Sequence, residues 1–131
     1  MNRFAFSDSS LRRLETCDPR IQEIMNIAIQ HSPLDFGIPS LGGKRTADEQ
    51  NKLFLDGVSK CDGHRHLSYH QSGMAVDIYA YVDGKASWDE TYLSVIAGHV
   101  LGVAKGLNYE LEWGGFFKNF LDMPHFQLRY T

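Results

Sequence analysis

Two short stretches of this chain carry residue types that could do chemistry together. The first is Ser68-Tyr69-His70-Gln71-Ser72-Gly73-Met74-Ala75-Val76-Asp77, which sets an imidazole and a carboxylate at the entry to an apolar run. The second is Asp122-Met123-Pro124-His125-Phe126, which supplies another carboxylate and another imidazole. Zinc accepts nitrogen from His and oxygen from Asp, and a catalytic site uses three protein ligands while leaving a position for water. His70, Asp77 and His125 make such a set. Water held there has its pKa lowered from the bulk value to about 7. A further carboxylate is then needed to take the proton and deliver it to a leaving group. Asp122, three residues before His125, can sit beside the ion without binding it, and Pro124 between them stiffens the backbone.

The same residues have plainer readings. A His-x6-Asp pair arises by chance in many proteins, and loose motif matches are weak evidence. Asp122 could be a turn residue ahead of Met123-Pro124, and His125 a satisfied strand histidine. A rival ligand set also exists. Cys61, His64, His66 and His70 share one polar stretch and could hold a structural zinc, although their spacing matches none of the usual finger patterns. His64 and His66 otherwise read as exposed or as the rim of the site. Cys17 and Cys61 read as two reduced thiols.

The elements that must position these groups are legible in outline. Ser7-Asp8-Ser9-Ser10 can cap a short helix with Leu11 and Leu14 on one side. Asp18-Pro19 reads as an N-cap followed by proline at the first helical position. Ile21, Ile24, Met25 and Ala28 follow at helical spacing and mark a buried stripe that ends at Ser32-Pro33. Phe36-Gly37-Ile38-Pro39 suggests an edge strand. Thr46-Ala47-Asp48-Glu49 is a capping box, with Leu53 and Phe54 expected to pack inward and Gly57 to stop the helix. Residues 59–71 are polar and aperiodic, a long loop of a kind that is often functional.

Ala75–Val82 alternates as one strand, with Val76, Ile78 and Ala80 on one face and Asp77, Tyr79 and Tyr81 on the other. Asp83-Gly84 is a hairpin signal. Ser87-Trp88-Asp89-Glu90 reads as a second capping box. The helix behind it has Tyr92, Leu93, Ile96, Val100 and Val103 at helical spacing and stops near Gly106. Tyr109–Trp113 is a strand candidate broken by Gly114-Gly115, and Phe126, Leu128 and Tyr130 alternate in a last strand. Short connections between strands predict an α+β fold, an antiparallel sheet with helices packed on one face, in a single domain.

Bulk properties narrow the function classes. At 131 residues the chain suits one domain with one core, and 43% hydrophobic against 22% charged residues fits a soluble globular protein. A net charge of -3 offers no electrostatic case for nucleic acid, and there is no basic run for an anionic membrane. No apolar run is long enough to span a bilayer. Met1-Asn2-Arg3-Phe4-Ala5-Phe6-Ser7-Asp8 lacks the apolar core of a signal peptide, so synthesis and first residence in the cytoplasm are expected.

Ser68-x-His70-x-x-Gly73-x-Ala75-x-Asp77, followed by Trp113-Gly114-Gly115 and Asp122-x-Pro124-His125-Phe126, resembles the zinc D-alanyl-D-alanine metallopeptidases. The branch it is most similar to is the phage endolysins that act as L-alanyl-D-glutamate peptidases, and the likeness runs from about Gly43 to Gln127. It implies one catalytic zinc on His70, Asp77 and His125, and Asp122 as the base where carboxypeptidase relatives use Glu. It implies that Arg45, in Gly43-Lys44-Arg45-Thr46, contacts a substrate carboxylate or the polarised carbonyl. Ser68 would hydrogen-bond substrate or a ligand, or else serve as a loop cap.

The whole of 1–131 would then be a single zinc peptidase catalytic domain with no separate wall-binding domain. It would be a monomer that waits in the host cytoplasm and, once released, cuts the L-Ala–D-Glu bond of peptidoglycan. A D-Ala–D-Ala carboxypeptidase and a non-catalytic wall-binding module are the alternatives. In one respect the chain departs from the pattern: relatives often carry Trp two positions after the Gly-Gly pair, where this chain has Phe116-Phe117. An aromatic wall survives that change but an indole hydrogen bond does not, which bears on substrate preference.

Overall fold

The computed structural model describes residues 3–130; Met1 and Asn2, where the segment read for a leader begins, and Thr131 lie outside it. Helix α1 spans Asp8–Leu14 behind an N-cap at Ser7, whose hydroxyl accepts the Ser10 N–H at 3.2 Å. Helix α2, Pro19–His31, starts at Asp18, whose carboxylate accepts the Arg20 N–H at 2.9 Å. Its stripe of Ile21, Ile24, Met25 and Ala28 is fully buried, as the spacing requires. Helix α3, Ala47–Leu55, has the complete capping box of Thr46 and Glu49. Helix α4, Glu90–Gly106, presents Leu93, Ile96, Ala97 and Val100 to the core and packs against α2.

Two local expectations shift. Gln50 is the buried residue of α3, while Phe54 is 40% exposed, so this helix lies on the periphery. The N-cap of α4 is Asp89, whose carboxylate accepts the N–H groups of Thr91 and Tyr92, and not Ser87. Ser87 instead accepts the Asp89 N–H. An ionised acceptor next to the helix N-terminus is favoured over a hydroxyl two residues earlier.

The strands are β1 Asp35–Gly37, β2 Ala75–Asp77, β3 Tyr79–Val82, β4 Lys85–Ser87, β5 Leu111–Trp113 and β6 His125–Leu128. They form two three-stranded antiparallel sheets, ordered β1-β3-β4 and β2-β6-β5. The α+β class and the antiparallel pairing follow the expectation, and β1 is an edge strand. The continuous strand expected over Ala75–Val82 does not form. It breaks at Ile78, whose N–H still donates to the Pro124 carbonyl at 2.9 Å in the β2–β6 register, while Pro124 has no N–H to return the bond and the chain passes on to pair with β1. The alternation still holds across the break: Val76, Ile78 and Ala80 are fully buried. One segment thus feeds both sheets while its apolar face stays in a common core. The β3–β4 hairpin turns on Asp83 and Gly84, both at positive φ, as a type I′ turn demands. Among the described residues no helix is long and apolar enough to cross a membrane.

Candidate metal centre

His70 sits in a short 3-10 turn, Tyr69–Ser72, that is framed at both ends. Ser68 accepts the His70 N–H at 3.2 Å, and its own N–H donates to Gln71 Oε1 at 2.9 Å. Gly73 closes the turn at φ +76°, a left-handed conformation that a side chain would disfavour. The spacing Ser68-x-His70-x-x-Gly73 therefore builds a capped turn that drives His70 inward to 2% exposure. Inside, His70 Nδ1 lies 3.0 Å from the Gly43 carbonyl. A carbonyl only accepts, so Nδ1 carries the proton and Nε2 offers its lone pair.

Asp77 and His125 are brought together by strand register. The β2–β6 ladder pairs Ala75 with Gln127, Val76 with Phe126, and Asp77 with His125. Directly opposed residues share a face of the sheet. The turn at 42–45 then ties the two halves. Gly42 accepts the Asp77 N–H at 2.9 Å, and the Arg45 N–H donates to the His70 carbonyl at 3.0 Å.

The three donor atoms form a nearly equilateral triangle. His70 Nε2 to Asp77 Oδ1 is 3.2 Å, His125 Nδ1 to Asp77 Oδ1 is 3.3 Å, and His70 Nε2 to His125 Nδ1 is 3.2 Å. Tetrahedral zinc with bonds of about 2.0–2.1 Å separates its ligands by roughly 3.3 Å, so the triangle has the size of one face of that polyhedron. The residues present fit the ion that their types suggest. Among the described residues this is the one group of potential ligand atoms close enough to share an ion. Cys61, His64 and His66 do not gather around His70: His64 and His66 are exposed, and their N–H groups fold onto Asp62. Cys17 and Cys61 are free thiols.

The carboxylate and the two imidazoles of the triangle act on one another electrostatically. Burial pushes the Asp77 carboxyl up, but the His70 and His125 imidazoles beside it outweigh burial and hold Asp77 well below the usual carboxylate range. Burial pulls His125 down, and the bond to Asp77, the Asp77 charge, Gln127 and Asp122 together hold it above its ordinary value. Both shifts arise from the imidazole–carboxylate contacts inside the triangle.

Asp122 lies beside this triangle and outside it. Its Oδ2 is 3.8 Å from His125 Nδ1, and its side chain is 39% exposed. Burial, then the negative charge of Asp77, raises its pKa against the cations around it. A clasp of backbone bonds fixes its position. Its N–H donates to the Gly114 carbonyl at 3.0 Å, its carbonyl accepts the His125 N–H at 3.0 Å, and the Trp113 indole donates to the Met123 carbonyl at 2.7 Å. Trp113 is therefore a brace for this loop, and Phe117 stands near the His125 ring at 5.9 Å between centroids.

The Arg45 guanidinium reaches the site from the side. Nε donates to the Leu41 carbonyl at 2.7 Å, Nη1 to Gln50 Oε1 at 3.0 Å, and Nη2 to Asp77 Oδ2 at 2.9 Å. It thus grips the second oxygen of Asp77 and accounts for the burial of Gln50. Ser68 acts as the cap of the His70 turn. Sequence reasoning missed Gly43, Gln50, Glu112 and Gln127. Only Gln127 left a signal: it falls two residues after His125, on the same face of an alternating strand.

The model of the phage L-alanyl-D-glutamate peptidase family matches residues 2–128 of this chain. The L-alanyl-D-glutamate peptidase of Escherichia phage T5 is 31% identical over 117 residues, covering 84% of this chain and 82% of that protein. The peptidoglycan L-alanyl-D-glutamate endopeptidase CwlK of Bacillus subtilis is 33% identical over 97 residues, covering 66% of this chain and 57% of that longer protein. Among solved structures, the Serratia marcescens L-Ala D-Glu endopeptidase ChiX superposes with a TM-score of 0.83 at 29% identity, over 97% of this chain and 92% of that one. With a capped histidine turn, a carboxylate and a second histidine in register, and a family match over almost its whole length, the chain belongs to the phage L-alanyl-D-glutamate peptidase family.

Proposed function

We propose that this protein is a zinc-dependent peptidase that hydrolyses the L-Ala–D-Glu bond of the peptidoglycan stem peptide. The observation that carries the reading is the triangle of His70 Nε2, Asp77 Oδ1 and His125 Nδ1, with edges of 3.2–3.3 Å and an unchelated carboxylate next to it. Family membership supplies the substrate class.

His70, Asp77 and His125 would hold the ion, and their nitrogen and oxygen donors suit zinc. When bound, zinc lowers the pKa of a water molecule to about 7 and polarises a carbonyl. Asp122 takes the proton from the attacking water and passes it to the leaving amine. Its raised pKa serves that role, since a base that is too acidic returns no proton. Arg45 has a double duty. Three of its five N–H donors orient Asp77, Gln50 and Leu41, and the remaining two are left for a substrate oxygen. Ser68 accepts from His70 and keeps its own O–H to donate. Phe117 stands beside the His125 ring, and Trp113 braces the loop that carries Asp122.

In the cell, the protein acts as a monomer on wall peptidoglycan after synthesis in the host cytoplasm, in the manner of a lysis enzyme. Digestion of purified wall, with mass spectrometry of the new termini, tests the bond. A new amino-terminal D-Glu is expected, abolished by chelator and restored by zinc. Release of terminal D-Ala with an intact stem would replace the reading with a carboxypeptidase, and binding without cleavage would replace it with a wall-binding module. Asp122→Ala should lose about 10²–10⁴-fold in turnover and keep its zinc; near-normal activity would remove Asp122 as the base.

A further inference from the structure

The β5–β6 ladder places Glu112 directly opposite Gln127, next to His125 on the same strand face. Gln127 Nε2 donates to Glu112 Oε1 at 3.0 Å, and Gln127 Oε1 lies 2.8 Å from His125 Nε2. Arg129 donates to the other Glu112 oxygen through Nη2 at 2.9 Å and Nε at 3.3 Å.

The chemistry of these groups allows one order. A guanidinium only donates and an ionised carboxylate only accepts, so Arg129 and the Gln127 amide nitrogen must both point at Glu112. The bonds from Gln127 and Arg129 keep the Glu112 carboxyl below its ordinary value and therefore charged. With its nitrogen so committed, Gln127 turns its carbonyl oxygen to His125. His125 can answer only with a proton on Nε2, which leaves the Nδ1 lone pair aimed at Asp77 and His70. A flipped Gln127 would present an N–H donor to Nε2 and push the imidazole proton onto Nδ1, where a cation has to bind.

We infer that Glu112 and Gln127 are positioning residues that hold His125 in its Nε2–H tautomer and so keep Nδ1 open as a metal ligand. The inference deepens the proposed function and rests on His125 being a ligand. Outer partners of a ligating histidine are worth about 10–100-fold in metal affinity. That this is more than strand pairing follows from its direction: the polar chain ends on the ring nitrogen opposite the ligand triangle.

The experiment has two readouts. Long-range nitrogen–proton NMR of the metal-free protein, at alkaline pH where the ring is neutral, reports the tautomer of His125, assigned by its loss in His125→Gln. Competition with a chromophoric chelator reports the zinc dissociation constant. Wild type should show the Nε2–H form. Gln127→Leu should mix the tautomers and weaken zinc about 10–100-fold, with Glu112→Gln acting in the same direction and less. The double exchange Glu112→Gln with Gln127→Glu should restore both readouts, because an acceptor again faces Nε2 and the new amide at position 112 donates to that acceptor.

An Nδ1–H ring in wild type would overturn the inference. So would Gln127→Leu with wild-type tautomer and affinity, or a double variant no better than Gln127→Leu. A wild type that binds no zinc but shows the Gln127-dependent tautomer would uphold the relay and remove the functional reading beneath it.

Discussion

Substitution of Gly114 by Ala separates placement of the proposed base, Asp122, from possession of it. Gly114 and Asp122 close a loop, the Asp122 N–H donating to the Gly114 carbonyl at 3.0 Å. A Cβ added at Gly114 would fall onto the Asp122 carbonyl oxygen and stand 2.9 Å from its carbonyl carbon and 3.1 Å from its Cβ. An ordinary carbon–carbon contact is about 3.5–4.0 Å. The Asp122 backbone must therefore retreat by roughly 1 Å, taking its carboxylate with it. A displacement of that size at a reacting group costs about 10²-fold in rate.

The metal ligands should tolerate the change, since His125 is also held by the β2–β6 ladder and by Gln127. The expected result is a fall of about two orders of magnitude in kcat on a synthetic stem peptide. Zinc stoichiometry should be unchanged, and stability should drop by about 1–3 kcal/mol from overpacking. Turnover within a few fold of wild type would refute the argument, and so would loss of zinc in step with activity.

Three further predictions test other parts of the molecule. His70→Ala should abolish zinc binding and activity and lower Tm, and zinc should raise the Tm of wild type but not of the variant, because binding to the native state alone adds to stability. Asp18→Ala removes the α2 cap and should cost about 1 kcal/mol at neutral pH. The Asp18 carboxyl is held below its ordinary value by the Arg20 side chain. Its stabilisation is therefore complete above the ordinary carboxylate range and is lost as pH falls through the lowered value. The gap between wild-type and variant Tm should close in acid; a constant gap would rule out an ionised cap. Burial pushes the Cys17 thiol up to about 11. Alkylation at neutral pH should label Cys61 first and reach Cys17 only on unfolding, as peptide mapping would record; early labelling of Cys17 would contradict its burial.

How much of this was readable beforehand depends on the range of each signal. Asp18-Pro19, the Thr46–Glu49 box, the α2 stripe and the Asp83-Gly84 hairpin were readable because caps, helical periodicity and turn dihedrals act within a few residues. Errors came where packing overrides local preference. Phe54 has helical spacing but lies on a peripheral helix, and Ala75–Val82 alternates inward through Ala80 yet divides at Ile78 between partners in two sheets. Residue chemistry named His70, Asp77 and His125 as a candidate set, and only the resemblance favoured it over the Cys61 loop, which spacing left open as a rival.

What the sequence determined by itself was the inventory: which donors exist, where the capped helices begin, and which residues alternate inward. What only the tertiary structure decided was convergence. Asp77 meets His125 because two strands pair in one register, and a slip of one residue would turn the imidazole to the other face of the sheet. The same ladder sets Glu112 against Gln127, and the 42–45 turn delivers Arg45 to Asp77. Such contacts join residues far apart in the chain, and their geometry comes from sheet register and core packing, which no window of neighbouring residues encodes.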